Sequence, residues 1–388
     1  MGEPRRITNY GGRIPKSERV SAVTIHQILE GLSQVKEFVR KDQYPPEIER
    51  YFVRRRWENL ILINYTDAAT YEFPADDWTP AMRVCRGIII TDDGSQVVSF
   101  PFHKFFNVGE SSETKPDEIA RWSIRTVTEK IDGVMIQVFR WKGELIWASR
   151  HAIWSNAATD AFKAASNAVE RIFPKKGNWT LICELVHPAH RKAGMIDYGD
   201  LIALGVLYIR NLDTMELIPA HEKFDSDLPS PLFLPALYPV SQFWEAKALV
   251  SAATTRSFEG VVLQGADELG NRLVKIKNPI YLDAVAAVRQ ITPNRVISVY
   301  ERTGLAGVRD MLLLYKDILD DIPEAREVAV ELERAEAEFT ARCLELREKD
   351  LSEIPQHLRW VKSYEVGSEK WNKAVWRNVA EIVRKRRR

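Results

Sequence analysis

Lys130-Ile131-Asp132-Gly133 stands between two β-rich runs, Arg125 to Ile131 and Val134 to Trp141, so a lysine lies beside a tight turn that glycine permits. An amine placed there can be presented to a bound ligand. Alone, K-x-D-G is weak, since average residue frequencies produce it in roughly one chain in twenty of this length; the plain alternative is an exposed hairpin lysine. Its company strengthens it. Leu181-Ile182-Cys183-Glu184-Leu185 and Phe258-Glu259-Gly260-Val261-Val262 each set a carboxylate in an apolar strand, and Leu273-Val274-Lys275-Ile276-Lys277 sets two lysines in a third. Buried strands rarely carry charges without partners. The strand period of two points Lys275 and Lys277 to one face and Val274 and Ile276 to the other. Two acids and three lysines on neighbouring strands suit a metal ion and a polyphosphate; a structural ion-pair network is the other reading.

The elements that must hold these residues are legible in the pattern. Ile25, Ile28, Leu29, Leu32, Val35, Phe38 and Val39 recur at helical spacing, which predicts an amphipathic helix from about Ser21 to Lys41. Strands are predicted at Asn59 to Thr66, Gly87 to Thr91, Gln96 to Phe102, Arg125 to Ile131, Val134 to Trp141, Glu144 to Arg150, Trp179 to Val186, Leu201 to Arg210, Glu259 to Gln264 and Arg272 to Lys277. Asp92-Asp93-Gly94-Ser95 and Lys142-Gly143 read as hairpin turns, which makes the sheets largely antiparallel. A helix is expected at Asn156 to Ile172. Beyond Pro279 the pattern is helical, and Asp321 with Glu324 resembles a capping box. The expected layout is α+β: an antiparallel-sheet domain over 1–285 with a helical leader, then an all-helical domain over 286–388.

Lys plus Arg (55) nearly balances Asp plus Glu (54), so a polyanion partner must be met by a local patch. Candidates are Arg54-Arg55-Arg56, read as a phosphate patch or a solvated helix face, and the end of the chain from Arg377, which holds six basic residues against one acidic. Cys85, Cys183 and Cys343 are odd in number and embedded in apolar sequence, so buried thiols in a reducing, cytoplasmic setting are expected. The longest strongly apolar stretch, Leu201 to Ile209, is too short to span a bilayer. Pro188 between His187 and His190 disfavours the helix that would align them on a metal, and no zinc set completes them. The tryptophans at 57, 78, 122, 141, 147 and 154 read as core, with Trp154 an RNA-contact candidate.

Taken together, these motifs resemble the covalent nucleotidyltransferase superfamily of ATP-dependent ligases and RNA capping enzymes. Lys130 to Gly133 looks like its motif I, Glu184 like motif III, Glu259-Gly260 like motif IV and Lys275-Ile276-Lys277 like motif V. Cys85-Arg86-Gly87-Ile88 and Lys104-Phe105-Phe106-Asn107 resemble segments of the phage-type RNA ligase 1 branch. So does Met135, where DNA ligases and capping enzymes usually have arginine. The resemblance covers roughly Arg86 to Lys277 and implies the antiparallel nucleotidyltransferase (adenylylation) fold. It implies that Lys130 becomes a lysyl-AMP adduct, that Arg86, Lys104, Lys275 and Lys277 hold the triphosphate, and that Glu259 helps bind Mg²⁺ or Mn²⁺. Glu184 faces the nucleoside or the metal, Ile131 and Val262 contact the nucleotide, and Arg150 replaces a family lysine there.

The chemistry suits those roles. An amine attacks phosphorus only when unprotonated, and a lysine has an ordinary pKa of about 10.4, so desolvation and like charge must lower it. The reading is an ATP-dependent RNA ligase acting in RNA repair on 5′-phosphate and 3′-hydroxyl ends, with the helical domain choosing the RNA. Whether that RNA is a nicked tRNA, another nicked hairpin or a free strand stays open. Its rivals are a DNA ligase or capping-type guanylyltransferase with an unusual partner domain, and a scaffold that binds nucleotide or RNA without catalysis. The helical character beyond Pro279 argues against the OB-fold that the first two carry there.

Overall fold

A computed structural model describes residues 25–191, 195–266, 271–314 and 323–387. The start of the expected first helix, residues 21–24, and Asp321 of the capping box lie outside them. The chain packs as two compact units: Met1–His187, Leu201–Val250 and Gly260–Ile276 form the first, and Pro188–Asp200, Ser251–Glu259 and Lys277–Arg388 the second.

In the first unit, helix Ile25–Lys41 buries Ile28, Leu32, Val35 and Val39, whose spacing of three and four residues puts them on one face. That face packs on an antiparallel sheet of β1 (Phe52–Trp57), β2 (Leu60–Tyr65), β3 (Arg86–Thr91) and β4 (Val97–Ser99). The central strands are covered on both sides, which explains their unbroken apolar runs. Ile63, Ile88 and Ile90 face the helix, while Leu60, Leu62 and Ile89 pack against Phe139, Ile146 and Ala148 of the next sheet.

β5 (Ile124–Glu129) leaves for a third sheet, and the chain then builds the second from β6 (Val134–Trp141), β7 (Glu144–Ser149), β8 (Trp179–Val186), β9 (Ala203–Asn211), β10 (Leu217–Pro219) and β11 (Leu232–Phe233). Its order is β10-β9-β8-β6-β7, antiparallel throughout, with β11 parallel beside β9. Helix Asn156–Ile172, capped by the Ser155 hydroxyl, covers this sheet with Ala158, Ala161, Ala165 and Val169. β12 (Gly260–Gly265) and β13 (Leu273–Lys277) complete the third sheet in the order β13-β12-β5.

The second unit is helical from Pro279 onward: Pro279–Gln290, Pro293–Leu314, Pro323–Glu348 and Glu369–Arg386 enclose a core of Val296, Tyr300, Val328, Leu332, Trp371, Val375 and Val379. The architecture is thus α+β with antiparallel sheets and a helical C-terminal region. Among the described residues, no helix is long and apolar enough to cross a membrane.

Two expectations need correction. Arg54-Arg55-Arg56 lie on an edge strand, not a helix face: β1 pairs residue for residue with the apolar β2, from Phe52↔Tyr65 to Trp57↔Leu60. Charge along an exposed strand edge discourages pairing with other chains. The strand expected over Gln96 to Phe102 shortens to Val97–Ser99, because the Phe100 amide turns to the Thr180 hydroxyl at 3.1 Å and Pro101 has no amide to give.

Candidate active site

Lys130 follows the last residue of β5 and precedes β6, so the K-x-D-G segment is a passage between two sheets and not a hairpin turn. Its amide donates to the Gly260 carbonyl at 2.9 Å, prolonging the β5–β12 pairing and fixing where the lysine leaves the sheet. Ile131 and Asp132 are buried and Lys130 is partly buried. The glycine is needed for close approach: a Cβ on Gly133 would come within 2.4 Å of the Leu185 carbonyl oxygen and 3.0 Å of Glu184 Cγ. The passage therefore lies against β8 at Glu184, which pairs in register with Met135. Arg86 Nη1 donates to Met135 Sδ at 3.5 Å.

Arg86 opens β3, and Gly87 beside it has a φ of 78°, left-handed backbone that favours glycine. A Cβ there would stand 3.1 Å from Arg150 Cα, so the Arg-Gly pair lets β3 reach the end of β7 where Arg150 follows. The Lys-Phe-Phe-Asn segment has an equally plain structural purpose. The Lys275 amide donates to the Phe106 carbonyl, the Lys275 carbonyl accepts from the Val108 amide, both at 3.1 Å, and Asn107 forms a parallel bridge with Lys275. Two motifs about 170 positions apart thus share one backbone ladder.

That ladder gathers cations around rings. The Lys275 ammonium lies 5.0 Å from the Phe105 ring, and the Arg86 guanidinium 5.7 Å from the same ring and 5.6 Å from Phe102. Lys104, only 8% exposed, has its ammonium 5.0 Å from Tyr65, 5.0 Å from Trp78 and 5.3 Å from Phe106. Ring faces offset part of the cost of taking an ammonium from water. Burial, reinforced by the charges of Lys104, Arg86 and Lys130 and opposed by Glu110, holds Lys275 well below the ordinary lysine value. Arg150 donates to the Tyr65 hydroxyl at 3.2 Å, and its own pKa is lowered, first by burial. Burial would raise the Tyr65 phenol, but Arg86, Arg150 and Lys104 together bring it below its ordinary value. His103 is buried, and desolvation, then Arg210, Arg83 and Arg86, keep its imidazole far below its usual value.

The first unit therefore brings Arg86, Lys104, Lys130 and Lys275 into one electrostatic cluster, with Arg150 reaching it through Tyr65. Val262 and Met135 belong to the apolar floor formed by Phe102, Phe105 and Leu273. Glu259 and Lys277 fall in the second unit and pair with each other, Nζ to Oε1 at 2.8 Å, with the carboxylate 3% exposed. Buried Asn278 ties that segment down. Its amide donates to the Glu259 carbonyl, its side-chain nitrogen to the carbonyls of Thr255 and Phe258, and its oxygen caps helix Pro279–Gln290.

His187 follows β8 and His190 lies in a single 3-10 turn; no group of three or more His, Cys, Asp or Glu suited to a metal occurs among the described residues. Trp154 packs edge-on against Phe162 at 5.4 Å. All three cysteines are buried and unbridged. Arg54 sits 4.1 Å over the Tyr44 ring, and Arg56 pairs with Asp92 at 3.0 Å. Sequence reasoning missed Tyr65, read Trp78 as core and took Phe106 only as part of a motif, because an aromatic residue at the end of an apolar strand or beside a phenylalanine reads as core.

A family described as RNA ligase matches residues 84–281, half of the chain. Among curated proteins, RNA ligase 1 of Bacteriophage TS2126 is 33% identical over 151 residues, 36% of this chain and 36% of that protein. A protein named putative RNA ligase from Thermovibrio ammonificans is 36% identical over 92 residues, 23% of each chain. The matches thus span about a third and a quarter of those relatives' lengths. Likeness to solved structures is slight: the RNA ligase of Naegleria gruberi with PPi is 15% identical with a TM-score of 0.39, over 47% of this chain and 57% of that one.

Proposed function

The chain belongs to this RNA ligase family, and we propose that it joins an RNA 5′-phosphate to a 3′-hydroxyl with ATP as co-substrate. The observation that carries the reading is the cluster in which Lys275 and Arg86 share the Phe105 ring while the Lys275 backbone is laddered to Phe106 and Val108 beside Lys104. Cations gathered on rings and one another await a polyanion, and a triphosphate meets that demand.

In the first step the neutral Lys130 Nζ attacks the α-phosphorus of ATP. A nitrogen–phosphorus bond forms, the bond from phosphorus to the bridging oxygen breaks, and pyrophosphate leaves. The attack requires the amine unprotonated, the form that desolvation and like charge favour in a lysine. Arg86, Lys104 and Lys275 neutralise the departing charge. An RNA 5′-phosphate oxygen then takes the AMP from the lysine, and the 3′-hydroxyl attacks that phosphate and releases AMP. The Glu259 carboxylate is the kind of oxygen donor a hard cation takes, and Mg²⁺ or Mn²⁺ held by it and by phosphate oxygens would supply further charge neutralisation. Glu259 and Lys277 keep these roles on the sequence resemblance. So do Glu184, Ile131 and Val262 as nucleotide contacts.

The helical region, 286–388, is assigned the choice of RNA, since it holds none of the motifs and carries much of the chain's Arg and Lys. Three unbridged thiols support a reducing, cytoplasmic setting. Nicked tRNA is a substrate to test first, in keeping with RNA repair. The test uses matched RNA and DNA strands with defined 5′-phosphate and 3′-hydroxyl ends: RNA is sealed with ATP, and DNA much more slowly. Equal sealing of DNA, or dependence on GTP in place of ATP, would overturn the reading.

A further inference from the structure

Tyr65 stands where two of the cations assigned to phosphate meet. Its hydroxyl accepts from Arg150 Nη1 at 3.2 Å, and both the Arg150 guanidinium and the Lys104 ammonium lie 5.0 Å from its ring centroid. Arg86 is the third cation acting on the phenol. The placement is built from several sides. The β2–β3 register slips between Ile63 and Asn64, a bulge of the kind that re-aims side chains. The Tyr65 amide then donates to the Cys85 carbonyl at 3.1 Å, its carbonyl accepts from the Asn64 side chain at 2.7 Å, and its ring meets Trp78 edge-on at 5.1 Å.

Packing alone does not call for a hydroxyl here. A phenylalanine would fill the same space, whereas the oxygen spends its acceptor capacity on a guanidinium. Lys104 and Arg150 carry like charge, and one ring presents π density to both while its oxygen fixes one of them. We propose that Tyr65 is a positioning residue for the polyphosphate of the bound nucleotide: its ring holds Lys104 and its hydroxyl holds Arg150, so that both cations are set before the ligand arrives. Fixing charged side chains in advance removes an ordering cost from binding. This rests on the nucleotide reading above.

The test uses the full chain and inorganic tripolyphosphate as the probe, with binding followed by titration calorimetry. Tyr65→Phe, which removes only the oxygen, weakens binding about tenfold, the loss of one hydrogen bond to a charged group. Tyr65→Leu, which also removes the ring face, weakens it further. The decisive arm is a double-mutant cycle. If the hydroxyl acts through Arg150, Tyr65→Phe costs little in an Arg150→Ala background. Unchanged affinity in Tyr65→Phe, additive losses in the cycle, or no tripolyphosphate binding by the unaltered protein would each overturn the proposal. Should Tyr65→Leu fail to fold, Tyr65→Phe and the cycle still decide. With ATP, Tyr65→Phe raises KM for adduct formation and leaves kcat nearly unchanged. Absence of an adduct in the unaltered protein would remove the ligase reading, while the tripolyphosphate series would still judge Tyr65.

Discussion

The cation cluster around Lys275 in the first unit and the helical region treat positive charge in opposite ways, although elsewhere in the first unit cations such as Arg83 pair with carboxylates. In the helical region cations meet carboxylates: Arg384 with Glu301 at 2.6 Å, Arg309 with Glu333 at 2.7 Å, Lys385 with Glu381 at 2.7 Å, Arg387 with Glu331 at 3.2 Å and Arg386 with Glu338 at 3.6 Å. Arg384, Lys385 and Arg386 in the last turn of helix Glu369–Arg386, and Arg387 just after it, are thus neutralised in pairs. In that cluster Arg86, Lys104 and Lys275 meet aromatic rings, and burial weighs against the charge of Lys275. Exposed pairs stabilise a surface modestly and are readily exchanged. Like charges gathered in a half-buried place cost stability, and such a cost is characteristic of a site kept for a ligand.

The largest effects that sharpen this contrast fall on Lys275. Lys275→Ala slows formation of the lysyl-AMP adduct by about a hundredfold or more, the scale of losing one preorganised charge partner in a transition state. Lys275→Met, which keeps the length and discards the charge, raises the melting temperature of the ligand-free protein while abolishing most of the activity. A Lys275→Met protein that is both less stable and equally active would break the comparison. The pH dependence has a definite sign. The folded protein holds the Lys275 pKa below that of the unfolded chain, so between those two values the unfolded state binds the extra proton. Stability of the ligand-free protein therefore rises with pH across that window and is lost as pH falls through the lowered value. A polyphosphate restores the charge, so its binding takes up a proton and weakens as pH rises. Melting curves over pH, and tripolyphosphate titrations in buffers of different ionisation enthalpy, check both; the reverse trends would contradict them.

Gly133→Ala comes next. The added methyl cannot fit 2.4 Å from the Leu185 carbonyl, so the passage carrying Lys130 must shift away from β8. A displacement near 1 Å of a reacting group costs about a hundredfold in rate. Single-turnover adduct formation measures this, and a rate matching the unaltered protein would show that the close approach is incidental.

How much of this was legible in the sequence follows from the range of the interactions. Period-two alternation and turn residues located nearly every strand, because both signals are local. Val134–Trp141, Trp179–Val186 and helix Asn156–Ile172 appear with the bounds the pattern predicts. The motif lysines were visible because charge in an apolar strand is conspicuous. β1 was missed, since Arg54-Arg55-Arg56 carry no alternation and pair only because β2 offers an apolar partner. Also illegible was the aromatic enclosure of Lys104: Tyr65, Trp78 and Phe106 come from three separate segments, and nothing in their spacing distinguishes a ring that packs from one that holds a cation.

The smallest effects belong to the helical region. Arg384→Ala removes one surface pair and lowers stability by about 1 kcal/mol or less. Adduct formation is unchanged, while joining of structured RNA becomes less sensitive to salt, as expected if one phosphate contact is lost. Equal salt dependence in both proteins would leave that surface without a part in RNA binding.

The account's central claim is that the cation cluster of the first unit serves the amine of Lys130. It is tested most directly by incubating the full chain with ATP labelled at the α-phosphate and a divalent cation, then mapping the label by peptide mass spectrometry. The account predicts one acid-stable AMP adduct, on Lys130, that disappears in a folded Lys130→Ala protein. Undiminished labelling of that variant, or label recovered on another residue, would contradict it.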